Sequence, residues 1–426
     1  MIAATGAGEP TRPAATPPAE GTGASTGDLP IVESSGGARR WLGVAGRAVG
    51  RSVAFASPGG HHRRVERFTA HGIPRPHVSP ATAAHAVLDE LVLGGFNALR
   101  GSMSVAEFLR VEREASDAAA QFAERGWLAD PLSYHEDPPP PGPVALGRRQ
   151  VGRTRYETLR FDSGWEPRGD EVGRSRWAGY GTNERVRVLL LRHRDGPRPW
   201  VVCVHGAEMG GRPLLDTRIL RAEHLHQRLG LNVAMPVLPL HGPRRPPSGS
   251  TFPGLDLVDT VHGFAQAAWD VRRLLAWIRT TQEPSRVGLT GFSLGGYVGG
   301  LVAGLSPPLD VLIAGCPAVD LPAMLRRHLP REARDNERFA ALLAHADVVL
   351  RPVSPLAFAA RTPADRLYVY GGTMDRLAHP VEQAGSLARH WGEPNVLWFP
   401  GGHVSVALDR SVPAFVDRAL REHLGT

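Results

Sequence analysis

Apolar residues recur along the chain in two rhythms. Between 83 and 122 they fall at helical spacing: Val87, Leu88, Leu91 and Val92 in a first stretch, then Phe108, Val111, Ala115, Ala119 and Phe122 in a second. The first predicts a helix over 83–93 that stops at Gly94-Gly95. The second opens on Ser104-x-x-Glu107, the spacing of a capping box, and runs to Gly126. From about 151 the rhythm changes to short apolar runs alternating with amphipathic stretches, as in a mostly parallel sheet with helices on both faces. Strands are expected at 153–161, 185–191, 200–204, 231–236, 286–290, 309–314, 366–370 and 395–399. Helices are expected at 213–229, 260–279 and 295–304.

This divides the chain into three. Residues 1–50 mix Gly, Pro, Ala, Thr and Ser with few bulky apolar side chains and read as a disordered tail. Residues 51–150 read as a helical region, closed by a stiff run of four prolines at 138–141. Residues 151–426 read as an α/β domain. Between the strands at 309 and 366 lie about 50 residues of helix formers, more than one crossover helix needs. A cap-like insertion at about 317–363 is therefore expected over the C-terminal edge of the sheet.

Composition narrows the function classes. With 426 residues, 42% of them hydrophobic, the chain can bury a core. Its most apolar segment, 83–96, is interrupted by Asp89-Glu90, so no transmembrane helix is expected. The first eleven residues hold no cation and no apolar core follows, so neither is a signal peptide. The two cysteines, Cys203 and Cys316, fit a reducing compartment and a cytoplasmic location. All 49 cationic residues are Arg, but they are diluted among 42 acids. Nucleic-acid binders gather their cations on one face, so that class is disfavoured.

The chemistry centres on Gly291-Phe292-Ser293-Leu294-Gly295, which directly follows the strand expected at 286–290 and opens a helix. A strand-to-helix turn this tight strains the Ser and requires neighbours without Cβ, hence Gly on both sides. Chance alone yields this pattern about 0.3 times in such a chain, so context must decide. A second copy, around Ser25, has no strand before it and no helix after it. A hydroxyl nucleophile needs a base and an orienting acid. His403 follows the strand at 395–399, and Asp375 follows the one at 366–370, giving the order Ser, Asp, His. Asp320 is the rival acid. An oxyanion hole is expected from the backbone N–H groups of Leu294 and of Ala207, the latter in His205-Gly206-Ala207 after strand 200–204.

These motifs together resemble the α/β-hydrolase superfamily over about 185–426. The resemblance implies an eight-stranded, mostly parallel sheet and a cofactor-free serine hydrolase. The run from Pro236 to Arg245 and the segment Gln266 to Asp270 are more narrowly similar to the abhydrolase-domain-18-like group. The expected function is hydrolysis of a small-molecule carboxylic ester through an acyl-enzyme. A thioesterase or peptidase would use the same parts, and a non-catalytic binding protein is the alternative from another class. Arg244 and Arg245, in a Pro-rich loop, are expected either to bind an anionic group of the substrate or to brace the loop against acids such as Asp256 or Glu208. No metal site is expected, since His224 and His226 lack a third ligand.

Overall fold

The structure is a computed structural model that describes residues 66–75, 79–99, 103–329, 333, 335–392 and 394–425. The tail expected at 1–50, with Ser25 in it, lies outside the described residues.

Helix α1 (Pro80–Leu99) runs straight through Gly94-Gly95, where the sequence predicts a stop. Its buried face also differs from the expected one. Val87, Leu88 and Leu91 point outward, Leu91 with 49% exposure, while Ala86, Asp89 and Glu90 are buried. Two carboxylates can occupy that face because donors from loops at the sheet edge meet them there. Helix α2 (Val105–Glu124) has the expected capping box: Ser104 Oγ accepts the Glu107 N–H, and Glu107 Oε2 accepts the Ser104 N–H at 2.8 Å. Its buried face is Phe108, Val111, Ala115, Ala118 and Phe122.

Among the described residues nine strands form one sheet, in the order β1-β2-β3-β5-β4-β6-β7-β8-β9. Strand β1 (Ala145–Val151) begins inside the stretch expected to be helical and pairs antiparallel with β2 (Thr154–Asp162). It adds a ninth strand, at the edge, to the expected eight. Strand β3 (Arg185–Leu191) pairs antiparallel with both β2 and β5, and every pairing from β5 onward is parallel. Helix α3 (Arg174–Ala178) lies between β2 and β3 in the chain. Strand β4 (Trp200–Val204) is buried along its whole length. The helix expected at 213–229 is broken into α4 (Pro213–Ile219) and α5 (Ala222–Gln227) by Arg221, which takes a left-handed conformation.

Strand β5 (Asn232–Pro236) is also fully buried, as central strands covered by helices on both faces must be. Helix α6 (Leu257–Thr281) is longer than expected because Asp256 caps it four residues upstream of the predicted start. Its Arg272 and Arg273 are buried rather than solvated. They donate to the carbonyls of Glu136, Pro139 and Pro140, tying down a proline run whose backbone has no ladder to join. Strand β6 (Val287–Phe292) leads into helix α7 (Leu294–Leu305). Strand β7 (Val311–Gly315) is followed by α8 (Leu321–His328) and α9 (Glu337–Val349) within the expected insertion. The Phe339 ring of α9 meets Phe108 of α2 at 4.6 Å. Strand β8 (Leu367–Gly372), helix α10 (Ala384–His390), strand β9 (Asn395–Phe399) and helix α11 (Ser411–Leu424) complete the chain.

The register sets up the site. Val204 pairs with Gly291, Phe292 with Gly315, Gly315 with Tyr370, and Gly372 with Phe399. The C-terminal ends of β4, β6, β7, β8 and β9 therefore share one rim. The residues just beyond each end are the ones expected to carry chemistry.

Candidate active site

Ser293 sits on the turn from β6 to α7 with φ 55° and ψ −113°, a conformation that disfavours any residue with a Cβ. The flanking glycines are required by close approach. A Cβ at Gly291 would lie 2.0 Å from the Gly295 carbonyl oxygen, and one at Gly295 would lie 2.1 Å from that of Val204. The turn is pinned from below by the Ser293 N–H, which donates to Gly315 O at 2.8 Å. Gly296, Tyr297 and Ala318 donate in turn to the Ser293 carbonyl. The hydroxyl is thus held at the head of an α-helix, whose N-terminal dipole favours developing negative charge.

The structure brings Asp375 and His403 together. His403 Nδ1 donates to Asp375 Oδ2 at 2.7 Å, with both side chains buried. The other carboxylate oxygen accepts the N–H groups of Leu377 and Ala378, so Asp375 cannot swing away. The ring's Nε2 is left as the free basic nitrogen. The His403 ring packs 5.1 Å from that of Phe292, beside the Ser293 turn. Among the described residues no hydrogen bond joins Ser293 Oγ to the ring. Such contacts are often long in an unliganded site. Burial by itself would push His403 down, but the charge and hydrogen bond of Asp375, with the charge of Asp89, outweigh it and hold the ring above its ordinary value.

Asp89 is the residue that sequence reasoning missed. It reaches from α1 into the rim, wholly buried. Its Oδ2 accepts the N–H of His403 at 2.8 Å and of Arg376 at 2.9 Å, and its Oδ1 accepts the N–H of Val404 at 2.9 Å. One carboxylate therefore ties the loop carrying His403 to the loop carrying Asp375. Glu90 beside it accepts from the Arg376 guanidinium at 2.9 Å. Burial pushes Asp89 up to about 6, Asp375 adds to the rise, and His403 with the Val404 and Arg376 N–H groups opposes it. The available signal was a pair of acids interrupting an apolar helix.

The loop after β4 is braced by His205. Its Nε2 accepts the Leu238 N–H at 3.1 Å, and its Nδ1 donates to Gly206 O at 2.7 Å. Burial pushes this imidazole down to about 3, so it stays neutral and can play both roles. Neither the Ala207 nor the Leu294 N–H donates to an acceptor among the described residues. For Leu294 this follows from its place in the first turn of α7.

Other expected residues fall elsewhere. Arg244 does not face a substrate crevice, which corrects the binding role expected for it. Its side chain has 0% exposure and pairs with Asp270 at 2.8 Å. It also donates to the carbonyls of Val237 and Asn183. The proline-rich loop turns it inward because Asp270, on α6, would otherwise be a buried charge without a partner. Arg245 braces the loop through Glu208 at 2.7 Å. Asp320, the rival acid, caps α8 by accepting the Ala323 N–H at 2.9 Å. Cys316, Asp375 and His403 offer donor atoms within 4.8 Å of one another. Burial and the charge of Asp375 push the Cys316 thiol well above its ordinary value, and the other two atoms already bond each other. The trio is poorly prepared to hold a metal ion.

The sheet, its covering helices and the strained serine turn at the strand rim define an α/β-hydrolase fold. The chain belongs to the same family as the uncharacterized protein Rv2627c of Mycobacterium tuberculosis H37Rv, with which it is 44% identical over 352 residues, 82% of this chain and 84% of the relative. The corresponding protein of strain CDC 1551, MT2702, matches to the same extent. No protein-family model matches the chain. Among solved structures, acetyl xylan esterase 1 from Thermoanaerobacterium is 17% identical with a TM-score of 0.48, covering 70% of this chain and 92% of that one. An acetyl xylan esterase from Paenibacillus is 14% identical with a TM-score of 0.43, covering 68% of this chain and 98% of that one.

Proposed function

We propose that the protein is a serine hydrolase that cleaves a small-molecule carboxylic ester. The observation that carries this reading is the buried His403–Asp375 pair, 2.7 Å apart, on the rim where the strained Ser293 turn also emerges. In this mechanism His403 Nε2 takes the Ser293 proton as Oγ attacks the ester carbonyl carbon. The N–H groups of Leu294 and Ala207 hold the resulting oxyanion. His403 then returns the proton to the departing alcohol, leaving the acyl group on Ser293. A water molecule, deprotonated by His403, attacks the acyl carbon and releases the acid with Ser293 restored. No cofactor, metal or nucleic acid has a part in this scheme. The narrower likeness to the abhydrolase-domain-18-like group rests on two segments joined by the Arg244–Asp270 pair, and so concerns the scaffold more than the substrate.

The test is turnover of p-nitrophenyl esters of graded chain length by the full chain, the thioester analogues serving as a second series. The proposal expects ester turnover that Ser293→Ala abolishes. Activity that survives the substitution would defeat it.

A further inference from the structure

The cation site expected at Arg244 and Arg245 has a stronger counterpart elsewhere in the fold. A cavity of about 470 Å³ lies between α4 and the β1–β2–β3 edge of the sheet, and Arg149, Arg160 and Arg187 line it. The register explains why they meet. Arg149 lies opposite Tyr156 and Arg160 lies opposite Arg187, while Tyr156, Thr158 and Arg160 alternate on one face of β2. Residues paired directly across strands share a face, so all three guanidiniums project from the same side. Gly147 lies opposite Thr158, whose Oγ1 stands 2.8 Å from where a Cβ at Gly147 would be.

Some arginines nearby are ion-paired, Arg185 with Asp162, Arg192 and Arg194 with Glu157, and Arg221 with Asp417, whereas Arg148, on the same cavity wall, has no carboxylate partner among the described residues. Arg149, Arg160 and Arg187 have no carboxylate partner among the described residues, although two of them face each other across adjacent strands. Like charges so placed are destabilising unless something neutralises them. Arg187 Nε is in addition buried with no hydrogen-bond partner. The acid on the cavity wall, Asp216, accepts the Arg212 N–H at the start of α4 and pairs with none of these three arginines.

We propose that this cavity binds a phosphate-bearing small molecule, held by the guanidiniums of Arg149, Arg160 and Arg187 and the hydroxyl of Thr158. Planar guanidinium forks match phosphate oxygens two at a time, and three of them suit a ligand with more than one negative charge. The site is separate from Ser293 and does not depend on the hydrolase reading. Its wall includes His205, Gly210 and Gly211, so its occupant touches the loop that carries Ala207.

The experiment is calorimetric titration of the full chain with inorganic pyrophosphate at low salt, with succinate as a carboxylate comparison. Saturable binding of one pyrophosphate, tighter than succinate, is expected. Arg160→Gln and Arg187→Gln should each weaken it about tenfold or more, as loss of a charge-assisted contact implies. Arg198→Gln, at an exposed arginine paired with Asp195, should not. Arg160→Glu separates binding from folding, because it sets opposite charges across β2 and β3. Its melting temperature should hold or rise while pyrophosphate binding is lost. Absence of saturable binding, equal binding by the arginine variants, or tighter binding of succinate would overturn the proposal.

Discussion

Replacing Asp89 by Asn should slow the proposed ester turnover without unfolding the chain. The wild-type carboxylate accepts three backbone N–H groups, from His403, Arg376 and Val404. An Asn keeps the shape but has a single acceptor oxygen, so its amide N–H₂ must face at least one of those donors. An unpaired buried donor costs about 1–3 kcal/mol. Placed on the His403 loop, that cost converts to a loss of about 5- to 150-fold in kcat/KM at pH 8. Stability should respond differently. Burial pushes the Asp89 carboxyl up to about 6 from an ordinary 3.8, a difference worth about 3 kcal/mol. Because the folded value is raised, the neutral form favours folding, and that contribution is lost as pH rises through about 6. Asn escapes this cost, so its gain and its missing acceptor nearly cancel at pH 8. The assay is a pH series of kcat/KM with parallel thermal melts. The ratio of wild-type to Asp89→Asn activity should be large at pH 8 and shrink below about pH 6, where wild-type Asp89 is itself protonated. The acid limb of the variant's profile should also move to lower pH, since the Asp89 charge helps to keep His403 raised. A pH-independent ratio near one, or a collapse of the fold at pH 8, would refute the reasoning.

Two further predictions follow from the same contacts. Asp375→Asn should lower kcat by about 10⁴, because His403 loses its orienting acceptor, whereas Asp320→Asn preserves a helix cap and should leave turnover unchanged in the same assay. Arg244→Ala leaves Asp270 buried without its partner and should cost about 3–5 kcal/mol in denaturant unfolding, with equal kinetic losses on anionic and neutral esters.

Much of the fold was legible because apolar runs and alternations mark its strands. The strands expected at 185–191, 200–204 and 395–399 have the observed bounds. Strand β1 was not legible, since six of its seven residues are exposed and it carries Arg148-Arg149 where alternation would be sought. Helix α1 was found, but its buried face was misread. Apolar spacing assigned burial to Leu88 and Leu91, whereas donors more than 280 residues away in the chain, backbone N–H groups for Asp89 and the Arg376 guanidinium for Glu90, make burial of the two acids favourable. The order of Ser293, Asp375 and His403 could be read because each follows a strand that ends on the same rim. The choice between Asp375 and Asp320 could not, because both follow strands and only tertiary contact separates an imidazole partner from a helix cap. Arg244 illustrates the same limit. A loop rich in proline and arginine reads as exposed, and its buried partner lies on another element.

The central claim is that Ser293 is the nucleophile, and covalent labelling tests it most directly. The full chain, treated with a fluorophosphonate and digested, should yield one modified peptide containing Ser293 by mass spectrometry. Ser293→Ala should carry no adduct, while Ser25→Ala should label as the wild type does. Undiminished labelling of Ser293→Ala, or a wild-type adduct on another serine, would contradict the account.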